Sequence, residues 1–283
     1  MRAKVSQRRK AEEFLSLHHA EPLLILPNAW DVPSARIFEE EGFAAVATSS
    51  AALAVSVGYP DGEAIPKQEY FSIVARIAAA LTVPLSADIE SGFGGSLAQL
   101  RDTIRRTVAA GAIGINLEDI ADFSNRTLHP IEAQVDRIRA VRKTSESLGV
   151  PLVLNARTDA LRYAKGDESA RLAEAIRRGT AYEDAGADCL YPMGLADRRS
   201  IRTFVEAVRS PVNVMARKGL PSVPVLRSLG VKRLSLGPTP MYASMGLLRS
   251  ISRELKEAGT YRTLLGRAIT FDELNALSHP RSD

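Results

Sequence analysis

The sequence predicts a closed (β/α)₈ barrel of the TIM type, and three observations predict it. Eight short, apolar, β-branched runs alternate with longer amphipathic stretches from end to end. Glycines recur where the helical stretches run out, each followed within a few residues by another apolar run. Acidic and polar residues collect at the C-terminal ends of the runs, where barrels of this class place their active sites. Strands alternating with helices of this length give βαβ units and a parallel sheet, and eight units close it. At 283 residues the chain exceeds the roughly 250 of one such barrel and reads as one domain, 1–283, without a linker or composition shift.

The strands are expected at 23–26, 44–48, 85–88, 114–117, 152–155, 189–191, 212–215 and 233–236, with helical stretches at 66–81, 97–110, 130–148 and 168–184. Gly42, Gly111, Gly186 and Gly230 mark helix ends, because glycine takes the left-handed position after a helix without strain. Val83-Pro84, Val150-Pro151 and Ser210-Pro211 mark three further strand starts, since proline rejects helix continuation. Residues 239–283 exceed what an eighth helix needs. They read as a helix to about Glu257, a break at Gly259 and a further helical extension, placed to cap the barrel or dock on a neighbouring subunit.

The net charge of +4 comes from one place. Arg2, Lys4, Arg8, Arg9 and Lys10 carry no acid among the first ten residues, and removing them from 37 bases leaves 32 against 33 acids. Residues 1–12 therefore read as a solvated basic arm on a nearly neutral body. No basic stripe with interleaved aromatics occurs elsewhere, which argues against nucleic acid as a partner. A single cysteine, Cys189, excludes an intramolecular disulfide and fits a reducing compartment. No secretory leader is evident, and no run approaches the ~18 apolar residues of a membrane helix. A cytoplasmic protein without a membrane partner is expected.

Reading the strand ends in order gives Asn28 and Asp31, then Thr48, Ser49 and Ser50, then Asp88 and Glu90, then Glu118 and Asp119. Asn155, Arg157 and Asp159 end the fifth strand, and Pro192, Met193, Asn213 and Lys218 are what the later strands add. Four carboxylates from two neighbouring strands repel one another, and a divalent cation resolves that repulsion. Oxygen donors without a nearby histidine favour Mg²⁺, with Mn²⁺ possible, over zinc. Asp88 is expected to bind the ion directly, with Glu90 and Glu118 acting mainly through water. The competing structural readings are helix capping for the acids, Asp119 above all, and a purely structural pairing of Arg157 with the cluster. Ser49 and Ser50 read either as a carboxylate cradle or as a plain helix cap. Of the histidines only His129, on the loop after the fourth strand, is near the site; Cys189 reads as inert core. No nucleophile elbow, P-loop or dinucleotide fingerprint is present.

The stretches Leu26-Pro27-Asn28-Ala29-Trp30-Asp31, Ser49-Ser50, Gly58-Tyr59-Pro60-Asp61-Gly62, Asp88-Ile89-Glu90-Ser91-Gly92-Phe93-Gly94, Asn116-Leu117-Glu118-Asp119 and Asn155-Ala156-Arg157-Thr158-Asp159 occur in order, each at or just after a strand end. On these, over about residues 14–255, the chain resembles the isocitrate lyase/phosphoenolpyruvate mutase superfamily. The resemblance implies Mg²⁺ on Asp88, reached through water by Glu90 and Glu118, and gripping the 2-oxo oxygen and carboxylate of a pyruvate-like moiety. It implies that Ser49 and its neighbours hold that carboxylate, that Arg157 stabilises an enolate oxyanion, and that Asp61 orients the substrate or a water. Trp30, Ser50 and Asn213 complete the expected substrate contacts. It also implies a homotetramer in which the eighth helix swaps between paired subunits.

The departures matter as much. The Lys-Lys-Cys-Gly-His loop of the isocitrate and methylisocitrate lyases is absent: residues 119–130 contain neither cysteine nor lysine. The phosphonomutase loop expects a lysine and an asparagine, and only Asn125 is a candidate. Met193 stands where the lyases carry a glutamate, and Met215 follows the retained Asn213, which implies a small or more apolar pocket. The leading expectation is a Mg²⁺-dependent lyase that cleaves or decarboxylates a small 2-oxo or 2-hydroxy dicarboxylate through an enolate, reprotonated by water, Ser124 or His129. The alternatives are a mutase or hydrolase of phosphonopyruvate type, with Arg126 steadying the phosphonyl group, and a 2-oxo-acid-binding protein without turnover. A Schiff-base aldolase lacks a strand lysine; Lys218 is the nearest.

Overall fold

A computed structural model describes residues 2–278. Eight parallel strands run in sequence order around a closed barrel. β1 is Leu24–Leu26, continued past Pro27 as Asn28–Ala29; β2 is Val46–Thr48, β3 Leu85–Asp88 and β4 Gly114–Glu118. β5 is Val153–Thr158, β6 Cys189–Pro192, β7 Asn213–Met215 and β8 Arg233–Ser235. Pro27 lacks the N–H a ladder needs, so the two halves of β1 serve different neighbours. Leu24 pairs with Arg233 of β8, Asn28 pairs with Ala47 of β2, and this closes the barrel. Asn28 spans the break: its amide donates to Thr48 O, and its Oδ1 accepts from Leu236 N and Gly237 N.

The register sets the interior layers. Asp88, Asn116, Asn155 and Cys189 lie in one row across β3 to β6, and Glu118, Arg157 and Tyr191 form the next row up. Side chains two residues apart on a strand share a face, so both rows point inward. The fifth strand runs past its expected end at 155, which places Arg157 inside the sheet rather than on a loop.

Outside the strands lie α1 (Arg2–Leu17), α2 (Val32–Glu40), α3 (Ser50–Ser56), α4 (Lys67–Ala80), α5 (Leu97–Ala109) and α6 (Ile131–Leu148). They are followed by α7 (Ala160–Tyr163), α8 (Glu168–Asp184), α9 (Arg198–Ala207) and α10 (Val223–Ser228). Asp31 and Ser34 form a capping box that starts α2, and Ser96 with Gln99 forms another at α5. The C-terminal region forms α11 (Thr239–Ala258), α12 (Arg262–Leu265) and α13 (Phe271–Ser278), with α13 lying against α2. Among the described residues no helix is long and apolar enough to cross a membrane.

The basic arm expected over 1–12 is a correction. From Arg2 the chain is helical, and α1 closes the N-terminal end of the barrel. The reason is its apolar face: Ala11 and Phe14 are fully buried, while Gln7 donates to Val108 O and Lys10 to Leu81 O. Phe14 sits so close to the start of β4 that a Cβ at Gly114 would lie 2.6 Å from its ring.

Candidate active site

A cavity of about 220 Å³ opens at the C-terminal ends of the strands. Ser49, Ser50, Asp61, Asp88 and Arg157 all line it, so five of the expected site residues meet there. Trp30, Glu90, Glu118 and Asn213 do not. Trp30 is half-buried just before α2, its backbone N–H donating to Ser34 Oγ. Asn213 lies two residues toward the barrel bottom from Met215, a cavity wall, and donates to Ser235 Oγ.

Arg157 is held by two acids. Its Nη1 lies 2.7 Å from Glu118 Oε2, and its Nε and Nη2 donate to Asp159 at 2.7 and 3.1 Å. Burial disfavours the guanidinium, but Glu118 and Asp159 outweigh that and keep it protonated far above its ordinary range. The guanidinium also sits 5.9 Å from the Tyr191 ring, whose hydroxyl burial pushes up to about 12.

Across the cavity the acids crowd. Asp88 Oδ2 accepts from Ser50 Oγ at 2.9 Å and Ser50 N at 3.2 Å, while Asp88 N donates to Thr48 Oγ1. Ser49 Oγ caps α3 by accepting from Ala52 N, so the cap reading applies to Ser49 while Ser50 serves Asp88. Asp61 is raised by burial and by Asp88, against Arg157. Burial first, then Asp61 and Asp88, push Glu90 up to about 8. Glu90 Oε2 accepts from Glu63 N at 2.6 Å, but Oε1 is buried without a hydrogen-bond partner. Glu63, Glu90 and Phe93 all take left-handed backbone conformations, with φ of 59°, 51° and 55°, a cost that clusters at functional sites.

An orphaned carboxylate oxygen facing two further carboxylates is what a divalent cation relieves, so the donor set fits one. Among the described residues no three acids, histidines or cysteines converge closely enough to hold a metal directly. Asp88, Glu90 and Glu118 are therefore not a direct triad, and Glu118 is turned to Arg157. The arrangement suits an ion that takes one carboxylate directly and keeps its waters, as Mg²⁺ does.

Asp119 neither caps a helix nor reaches the cavity. It is fully buried, accepts from Asp159 N, Arg178 Nη1 and Tyr182 Oη, and ties β4 to β5 and α8. The 119–130 loop is an antiparallel hairpin, Ile120–Asp122 against Thr127–Leu128, with Phe123 against Gly62. Ser124 sits exposed at its tip. His129 is anchored through its backbone to Asp119 and Arg178, and burial with Arg137 and Arg178 lowers its ring to about 4. Neither lines the cavity.

Arg162, Tyr191, Ser235 and Tyr242 line the cavity without having been singled out from the sequence, and so does Asn116, which was named only as part of a motif. Period-two alternation from Glu118 back to Asn116 would have found one of them. Asn116 Oδ1 accepts from both Asn155 Nδ2 and Arg233 Nη2, which leaves its NH₂ as the donor facing the cavity. Arg233 itself is fully buried, stacked 5.9 Å from Phe14 and 3.3 Å from His18 Nε2.

Comparison with known proteins bears on the family and the fold. Residues 14–256 match the phosphoenolpyruvate phosphomutase family. A 2-methylisocitrate lyase of Bacillus subtilis is 33% identical over 73% of this chain and 67% of its own. A candidate lyase or mutase of Burkholderia cenocepacia has a solved structure that covers 97% of this chain and 98% of its own, at 35% identity and a TM-score of 0.89. The structure of oxaloacetate acetylhydrolase with its product oxalate covers 95% of this chain and 93% of its own, at 25% identity and a TM-score of 0.83. The chain belongs to the phosphoenolpyruvate phosphomutase family, and is an enzyme of the isocitrate lyase/phosphoenolpyruvate mutase type.

Proposed function

We propose that this enzyme is a Mg²⁺-dependent lyase that cleaves or decarboxylates a small 2-oxo or 2-hydroxy dicarboxylate through an enolate. The observation that carries the reading is Arg157, fixed by Glu118 and Asp159 and facing Asp88 across one small cavity. Asp88 would hold the ion directly, with Glu90 and Glu118 reaching it through water; Mn²⁺ suits the same donors. The ion supplies Lewis-acid polarisation of the 2-oxo oxygen when bound. Arg157 stabilises the oxyanion as charge develops, and it does so without reorganising because its partners already hold it. Ser49 and Ser50 border the substrate carboxylate, and Asp61 orients substrate or water. Asn116 offers an N–H donor from the floor. Reprotonation falls to water, since Ser124 and His129 stand outside the cavity. Arg126, the cation a phosphonyl group would need, lies 6.0 Å from the Tyr163 ring and does not line the cavity either.

The same reading includes a cytoplasmic homotetramer with the C-terminal helices exchanged between paired subunits. Its support is the apolar surface that α11 to α13 leave uncovered in one chain, including Tyr242, Met245, Leu248 and Phe271, the last 80% exposed. Light scattering on the purified protein checks it, and a 30.6 kDa particle would overturn it.

The deciding experiment incubates the protein with oxaloacetate, substituted malates, methylisocitrate and phosphonopyruvate, with and without Mg²⁺, and follows products by NMR. Mg²⁺-dependent C–C cleavage that disappears in Asp88→Ala is the expected result. Turnover of phosphonopyruvate alone would move the reading to C–P chemistry. Mg²⁺-dependent binding of a 2-oxo acid without product would make it a binding protein.

A further inference from the structure

Arg162 is used by nothing above, yet it lines the same cavity as Arg157. It lies on α7, one turn beyond Asp159, and its Nη1 donates to Asp159 Oδ1 at 2.9 Å. Asp159 is fully buried and also holds Arg157, so a single carboxylate braces both guanidinium groups at one side of the cavity.

Two contacts and a closely passing glycine hold Arg162 in place. Besides Asp159, its guanidinium stacks 4.8 Å from the Tyr163 ring. Its stem runs beside Gly194, where a Cβ would lie 3.6 Å from Arg162 Cγ. Among the described residues only Nη1 is engaged, so most of a planar five-donor fork stays available. The side chain is 43% exposed, which leaves it accessible from the cavity mouth. A pre-fixed guanidinium loses little further freedom on meeting a carboxylate and can take it bidentately.

The rest of the cavity limits what such a ligand can be. Met193 and Met215 form an apolar part of its wall, where a third carboxylate would meet no donor. Its volume of about 220 Å³ is below the ~300–1,000 Å³ of pockets for drug-sized ligands.

We infer that Arg162 is a specificity-determining residue that binds the second carboxylate of the substrate, and that with Met193 and Met215 it restricts the site to four- or five-carbon dicarboxylates. This rests on the reading of the cavity as a 2-oxo or 2-hydroxy acid site. The test titrates wild type, Arg162→Gln and Arg162→Lys with pyruvate, malate and citrate in saturating Mg²⁺, by calorimetry. Wild type is expected to prefer malate to pyruvate and to bind citrate weakest. Arg162→Gln is expected to lower the malate-to-pyruvate affinity ratio about tenfold, the loss of one charge-assisted contact, and Arg162→Lys by less. An unchanged ratio in Arg162→Gln overturns the role of Arg162 while leaving the site reading in place. Citrate binding tighter than malate overturns the size restriction. Binding of none of the three to wild type overturns the site reading and this inference together.

Discussion

Arg157 and Asn116 show how far a side chain's meaning depends on what it meets. Arg157 reads from sequence as either an oxyanion stabiliser or a structural partner of the acids, and in the structure it pairs with Glu118 and Asp159 while lining the cavity. Its planar fork makes lysine a poor replacement. Arg157→Lys is expected to cost on the order of 10²–10³ in kcat, measured by the NMR assay with folding checked by circular dichroism. Asn116 acts differently, because it is also an acceptor for buried donors. Asn116→Ala strands Asn155 Nδ2 and Arg233 Nη2, and about 1–3 kcal/mol of stability should be lost, read from urea unfolding. The Met193 and Met215 substitutions were visible in the sequence, and both residues do line the cavity. Arg162 was not visible: it follows the strand on a short helix, where no period marks which side chain turns inward.

At the scale of elements, the alternation of strand and helix was legible because each strand is buried on both faces and each helix on one. The pairs 83–84 and 150–151 do precede β3 and β5. What the pattern misjudged was α1. Five bases in ten residues suggested solvent, but the two residues that matter, Ala11 and Phe14, lie just beyond that stretch on the same helix and are fully buried. Charge on one side of a helix says nothing about the other side. Gly114→Ala would drive a methyl group into the Phe14 ring, and a cost of about 1–3 kcal/mol is expected for such overpacking, seen as a lower urea midpoint. Glu254 is a smaller case. Its carboxylate accepts from Thr260 Oγ1, Arg262 N and Thr263 N, holding α11 to α12, and these bonds lower it from 4.5 to about 2. A depressed carboxyl pKa contributes stability above the unfolded value that is lost as pH falls through the folded one. The α11–α12 corner should therefore loosen between pH 4.5 and 2, and Glu254→Gln should remove that dependence in amide exchange.

On the scale of the whole molecule, the base of the barrel carries a pH sensitivity of its own. Phe14 O can only accept, so His18 Nδ1 carries the proton and Nε2 faces Arg233. Burial first, and Arg233 second, lower the His18 ring from 6.5 to about 3. Between those values the unfolded chain binds a proton that the folded chain does not. The His18 contribution is thus complete above pH 6.5 and declines toward pH 3, by at most about 1.4 kcal/mol per pH unit. Wild type should lose more stability than His18→Gln between pH 7 and pH 5 in urea unfolding. An equal loss would mean that His18 is protonated in the fold.

The sequence by itself determined the barrel, its strand order and the family, because hydrophobic period and strand-end motifs are local and survive in one dimension. It also indicated which acids gather near the mouth, since strand ends of a parallel barrel converge whatever the loops do. The tertiary structure alone decided which of those side chains point into the cavity and which are consumed by neighbours. Glu118 turns to Arg157, Asp119 to Arg178 and Tyr182, and Asn213 sinks below the floor. The reason is that a buried polar or charged group must find a partner, and the partner comes from a strand or helix tens of residues away, set by register that no local pattern encodes.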